Sequence, residues 1–306
     1  MNPYTDFEHL PLSENPCSPI HPAFPKNNLW KGTARRLLAN RGLVCSMAVI
    51  LLLLLLALTA PWVCPRSYDA TNTACSNLAP SLEFWYGTDT LGRDMFARVW
   101  QGVRVSLLIG ILGAIIPQII GGLIGCVSGY FGGRIDSAIM SAVDIGACIP
   151  TLVYITLITL LLGNSIGTLV LAISLSSWMG AARNCRSRML QFRSREFILV
   201  AQAQGLPPFH IIGKHILPNI AGQLVVNIFT AIPAAIFSEA YLSFIGLGIA
   251  SPMTSLGQLC KSGVSLYRVY PYQFWIPGVL LSVVIMAFYV LGNSLRDILD
   301  PRGRRS

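Results

Sequence analysis

Six consecutive leucines, Leu51–Leu56, lie inside a block from Leu43 to Val63 that carries no charged side chain. A bilayer core about 30 Å thick is crossed by about 20 helical residues rising 1.5 Å each. Inside lipid the backbone must satisfy its own hydrogen bonds, which a helix does and an open strand does not. Five further apolar blocks are long enough to cross: Val103 to Ser128, Ile139 to Leu162, Gly167 to Ala182, Ile220 to Ile245 and Phe274 to Leu291. Only 11% of the residues are charged and 53% are hydrophobic, with a mean hydropathy of +0.60. That is too little charge to clothe a water-facing surface. The expected fold class is all-α, a polytopic membrane protein with six transmembrane helices.

The first block resembles a signal-peptide core, but Pro61 follows Ala60 where cleavage would fall, so a retained span is expected. Lysine and arginine set the orientation. With a cytoplasmic N-terminus, sixteen of the 22 basic residues fall inside. Only Arg66, Arg93, Arg98, Arg104, Lys261 and Arg268 fall outside. This bias places both termini in the cytoplasm and accounts for the net charge of +9 without nucleic acid. No basic stretch is interleaved with stacking aromatics. The chain then divides into a cytoplasmic tail (1–42), a first transmembrane helix (43–63) and a periplasmic segment (64–102). A transmembrane core (103–295) carries a cytoplasmic loop at 183–219, and a cytoplasmic tail (296–306) ends the chain. Residues 1–28, with prolines at 3, 11, 16, 19, 22 and 25, read as a mobile tail. The eight cysteines include no C-x-x-C pair, so no metal site is expected. Cys64 and Cys75 share the outer segment, where an oxidising compartment would permit a disulfide, although Cys260 is a third outer thiol.

The inner loop at 183–219 carries the strongest local signal. Arg195 to Gln204 has no proline or glycine, and Phe197, Val200 and Ala201 form an i, i+3, i+4 apolar face. Gly205 suits a left-handed helix end, and Pro207 and Pro208 force a turn. Phe209, Ile212, Ile216 and Leu217 restart an apolar face, and Pro218 marks the start of the fifth span. Two short amphipathic helices with a glycine hinge are expected. Their apolar faces need either the lipid surface or a groove on a partner.

This loop resembles the coupling loop, or EAA loop, of ABC importer permeases. Ala201, Gly205, Leu217 and Pro218 hold the family's places, while Val200 and Leu199 stand where an alanine and an acid are usual. The peptide-permease version matches at Glu196, Phe197, Ala201, Gly205 and the run His215-Ile216-Leu217-Pro218-Asn219. Three more blocks resemble the same class in order: Gly87-Thr88-Asp89-Thr90-Leu91-Gly92-Arg93-Asp94, Glu239-Ala240-Tyr241-Leu242-Ser243-Phe244-Ile245-Gly246-Leu247-Gly248, and Leu295-Arg296-Asp297-Ile298-Leu299-Asp300-Pro301-Arg302. The resemblance is to the C-type permease of the oligopeptide/dipeptide (peptide/nickel) class, with the type I ABC importer fold, in a bacterial inner membrane. It implies a non-catalytic subunit working with a related B-type permease and one or two ATP-binding subunits. It also implies an extracytoplasmic peptide-binding protein, delivering near residues 84–102 and 250–272. ATP would be used by the ATPase, and no cofactor would be bound by this chain. Coupling would pass through Glu196, Phe197, Ala201, Gly205, His215, Leu217 and Pro218. Nickel or another small solute is the alternative cargo, and a secondary transporter the alternative class.

Enzymatic readings find no support. There is no G-x-x-x-x-G-K-[ST] and no H-E-x-x-H. Gly163-Asn164-Ser165-Ile166-Gly167 matches G-x-S-x-G, but it joins two spans on the outer side, while His9, His21, His210 and His215 all fall on the inner side. Asp144 and Glu239 are acids near spans, where an unpaired carboxylate costs several kcal/mol. They read either as path or gating residues or as helix-end acids held by neighbours. Gly121, Gly125 and Gly129 repeat every four residues, which suits close helix packing.

Overall fold

The structure is a computed structural model that describes residue 37 and residues 39–299. The proline-rich segment 1–28 lies outside the described residues. Among the described residues, extended pairing is limited to one bridge between Thr88 and Asp94, and the rest is helix, turn and loop.

Helix α1 (Arg41–Val63) starts where the Asn40 side chain accepts the Leu43 N–H at 3.1 Å. Its buried positions, Leu43, Ser46, Ile50, Leu53, Ala57 and Ala60, alternate three and four apart. They form one narrow seam, while Leu51, Leu55 and Leu58 remain exposed. A helix that is apolar all round but packs on one stripe offers the remainder to lipid. Helix α2 (Met95–Phe131) begins upstream of the expected Val103, because the Asp94 side chain caps it by accepting from the Phe96 and Ala97 N–H groups. An aspartate at this position satisfies otherwise orphaned N–H groups.

The expected third span is broken. Helices α3 (Gly133–Ala147) and α4 (Thr151–Leu162) meet at 78°. Pro150 disfavours helical backbone at Ile149 and itself adopts an extended conformation, φ −57° and ψ 134°. At 1.5 Å per residue, α4 alone is only about 18 Å long, too short to cross. The described residues therefore hold five full-length spans, or six with the bent pair taken as one.

Helix α5 (Ile166–Arg193) runs past the expected end at Ala182 and carries Arg183, Arg186, Arg188 and Arg193 beyond the apolar region. Three further helices follow the inner loop: α7 (Pro208–Ile245), α8 (Leu256–Val264) and α9 (Tyr272–Leu299). The glycine stripe on α2 explains the tightest packing. A Cβ on Gly121 would sit 2.3 Å from the Trp178 carbonyl oxygen, and one on Gly125 would sit 2.3 Å from that of Ala182. The helices α2 and α5 touch backbone to backbone, as small residues allow in membranes. Elsewhere α1, α2, α7 and α9 share one apolar core built on residues such as Leu53, Val103, Ile236 and Phe288.

Candidate coupling surface and polar cleft

The inner loop folds as helix α6 (Glu196–Ala203), a hinge, and the start of α7. Gly205 has φ +74°. Its N–H donates to the Gln202 carbonyl at 3.0 Å, and the Leu206 N–H donates to the Ala201 carbonyl at 3.3 Å. This pair of bonds is a Schellman closure, and Leu206 completes it by packing beside Ala201. Pro207 is extended, and Pro208 supplies the first residue of α7, where a missing N–H costs nothing.

The expected second short helix is not separate. It runs into the fifth span through one π-helical stretch, Ile211–Ile216, where the Leu217 N–H donates to the Ile212 carbonyl. Pro218 has no N–H and would end a regular helix. The wider i→i+5 register lets the backbone pass it, as π-bulges do within helices.

The apolar faces also differ from expectation. Ile198 and Ala201 face inward, against Cys126, Tyr130, Cys185, Met189, Ile211 and Ile216. Phe197 and Val200 instead point outward with Leu199, and Phe209, 72% exposed, joins them from beyond the hinge. The loop thus has a buried side that seats it on the helices and an outer side of four large apolar residues. Of the residues expected to couple, Glu196, Phe197, Gly205, Leu217 and Pro218 are exposed, Ala201 is buried and His215 is half-buried beside His210. Leu199 escaped the sequence reading because a helical face was sought by spacing alone, and Phe209 was expected on a separate face beyond the hinge rather than beside Phe197 and Val200.

A polar cleft of about 390 Å³ opens between α2, α5 and α7. Gln118, Ser177, Asn184, Asn227, Thr230 and Ser238 line it, with Arg296 from α9. Such side chains at membrane depth mark a wet surface or a protein-lined path.

Glu239 is the neighbour of Ser238 but does not line the cleft. It is fully buried, with Ser106 donating to Oε2 at 2.9 Å and Ser243 to Oε1 at 2.7 Å. Ser106 also accepts the Leu256 N–H at 3.2 Å, so the carboxyl group pins α2, α7 and the start of α8 together. Asp144 is exposed and held by Arg183 at 2.8 Å. Near the start of α3 the buried acid is Asp136, which sequence reasoning missed. Arg186 binds both its oxygens at 2.5 Å, and Ser128 donates to one of them. Its signal was the Gly132-Gly133 turn just before it, where both glycines have positive φ.

On the opposite side, residues 64–94 form a compact loop. Asp89 accepts from the Leu91 and Arg93 N–H groups and from Arg93 Nε. Cys64 and Cys75 are not paired. The Cys64 thiol lies 3.6 Å from an Asp94 oxygen, and Cys75 receives a bond from Asn72. Burial holds the Cys64 thiol above its ordinary pKa range.

Residues 121–305 match the family described as the binding-protein-dependent transport system inner membrane component. Residues 28–80 match the N-terminal TM domain of oligopeptide transport permease C. The chain is 38% identical over 272 residues to the dipeptide transport system permease protein DppC of Bacillus subtilis, covering 89% of this chain and 85% of that one. It is 38% identical to the oligopeptide transport system permease protein OppC of Escherichia coli, covering 90% of this chain and 92% of that one. The structure resembles a chain of the inward-facing MetNI methionine ABC transporter with a TM-score of 0.55 and 19% identity, over 67% of this chain and 98% of that chain. That likeness shows a fold shared with a chain of an ABC transporter. With a family match over more than half its length and these relatives along about nine-tenths of it, the chain belongs to the inner-membrane components of binding-protein-dependent transport systems.

Proposed function

We propose that this chain is the C-type permease of an ATP-driven importer that moves oligopeptides or dipeptides inward. The carrying observation is the outward apolar patch of Phe197, Leu199, Val200 and Phe209, on the side richest in arginine and lysine. Four large apolar side chains on a rigidly seated loop call for a partner groove. The family supplies that partner as a separate ATPase, so the chain itself is non-catalytic. Closure of the ATPase pair moves α6 and the start of α7, and the buried contacts of Ile198, Ala201, Ile211 and Ile216 pass the motion to α2, α5 and α7. Glu196, Gly205, His215, Leu217 and Pro218 shape that same lever.

The cleft around Gln118, Asn184 and Asn227 is this chain's share of the path, completed by a related B-type permease. A binding protein delivers cargo near residues 84–102 and 250–272, and both termini lie in the cytoplasm. Glu239 acts as a structural pin beside the path, and Asp144 as an inner-side ion pair. The peptide assignment is supported by relatives with dipeptide and oligopeptide permease names. Uptake into vesicles holding the whole complex tests it. Labelled di- and oligopeptides should enter only with ATP, and uptake of nickel without uptake of peptides would refute the cargo.

A further inference from the structure

The outer loop and α8 enclose a cavity of about 190 Å³ lined by Asp89, Thr90, Arg93, Arg98, Ser262 and Gln273. Two guanidinium groups face one carboxylate there, and that carboxylate is already engaged. Asp89 Oδ1 accepts from the Leu91 and Arg93 N–H groups, each at 2.9 Å, and Oδ2 accepts from Arg93 Nε at 2.7 Å. Arg98 Nε stands 3.6 Å from Oδ2, outside hydrogen-bond range. The Arg98 side chain is only 5% exposed, yet its Nε and Nη1 have no hydrogen-bond partner. Gln273 donates its Nε2 to Asn77 Oδ1 at 2.9 Å and to the Thr88 carbonyl at 3.0 Å, and its side chain accepts from neither Arg98 Nε nor Arg98 Nη1.

Burying guanidinium N–H groups without acceptors is costly even with Asp89 nearby, and their natural complement is a planar anion. The cavity has a net charge of one positive unit, which a single carboxylate cancels. A doubly charged phosphate would overshoot that charge and leave the cavity net negative beside Asp89. The volume holds one carboxylate group and its stem, not a whole peptide. We propose that this cavity is a carboxylate-binding subsite, with Arg98 as its principal donor. The proposal rests on the reading that this side faces outward, where the carboxylate arrives either on the free end of a peptide cargo or on an acidic side chain of the delivery protein.

The test uses the assembled complex in detergent and follows its thermal unfolding with acetate against chloride at matched ionic strength. This readout needs no transport, so it stands or falls apart from the importer assignment. Acetate should protect the wild type, and Arg98→Gln should weaken its half-effective concentration by about tenfold or more, the loss of a charge-assisted bidentate contact. Should Arg98→Gln fail to assemble, Ser262→Asp serves instead, because it builds a carboxylate into the cavity mouth. That variant should unfold at a higher temperature than wild type and lose its response to acetate. Equal protection by acetate and chloride in the wild type, a water-filled pocket only, would overturn the proposal. So would an undiminished acetate response in Ser262→Asp. In vesicle uptake, a preference for free-acid over C-terminally amidated peptide that vanishes in Ser262→Asp identifies the cargo as the source. Equal uptake of both, with weaker stimulation by the delivery protein in Ser262→Asp, identifies the delivery protein.

Discussion

At the scale of single residues, the tightest constraints are glycines and buried acids. Gly125 and Gly122 share a helix, but a Cβ on Gly125 would meet the Ala182 carbonyl oxygen at 2.3 Å, while one on Gly122 meets nothing within 4 Å. Gly125→Leu should therefore prevent α2 and α5 from closing and abolish recovery of folded protein. Gly122→Ala should be recovered normally, with a small gain from reduced chain entropy of about 0.4–1 kcal/mol. Yield and thermal unfolding in detergent decide between them. The four-residue glycine repeat was legible in the sequence because small residues at that period have few other uses in a span. The role of Glu239 was not legible. Its two hydroxyl donors come from Ser106, far away in the chain, and from Ser243, and only the folded contact shows which neighbours hold an acid that the sequence left between a path residue and a held helix-end acid. Asp136 was overlooked for the matching reason, since its partner Arg186 lies 50 residues on.

At the scale of elements, the inner loop was largely predictable and the spans were not uniformly so. Helix α6 and its glycine end follow from local rules: no breaker between 196 and 203, then one residue able to take φ +74°. The fusion of the next segment with α7 escaped, because proline normally ends a helix and a π turn is rare. Pro150 is a helix breaker in the middle of the third apolar block, but the block was read as one span, because hydropathy does not encode the 78° bend. Gly205 offers the sharpest test of the lever. There is open space around it, so Gly205→Val does not clash, but it places a β-branched residue at positive φ, a strain of about 1–2 kcal/mol. The variant should assemble while peptide-stimulated ATP turnover and uptake separate, uptake falling the more. Equal rates of both, as in wild type, would remove the hinge from the coupling route.

At the scale of the whole molecule, the sequence was most informative about what the chain is and least about how its pieces meet. Hydropathy identified the membrane class, and four ordered blocks identified the family, because backbone satisfaction in lipid and partner contacts impose patterns along the chain. The orientation rests on the distribution of basic residues and can be checked directly. In intact cells carrying a variant whose eight native cysteines are replaced by alanine or serine, a membrane-impermeant maleimide should label a cysteine placed at Thr71, and should reach one placed at Gln202 only after lysis. The reverse pattern would invert the molecule and move the apolar patch away from ATP. That patch is the account's centre, and co-purification is its most direct test. The wild-type chain should bring down ATPase subunits whose nucleotide turnover depends on it. The double substitution Phe197→Glu and Val200→Glu, on side chains exposed in the isolated chain, should leave the chain folded in the membrane but lose the ATPase. Undiminished capture of an active ATPase by that variant would contradict the assignment of residues 196–217 as the coupling surface.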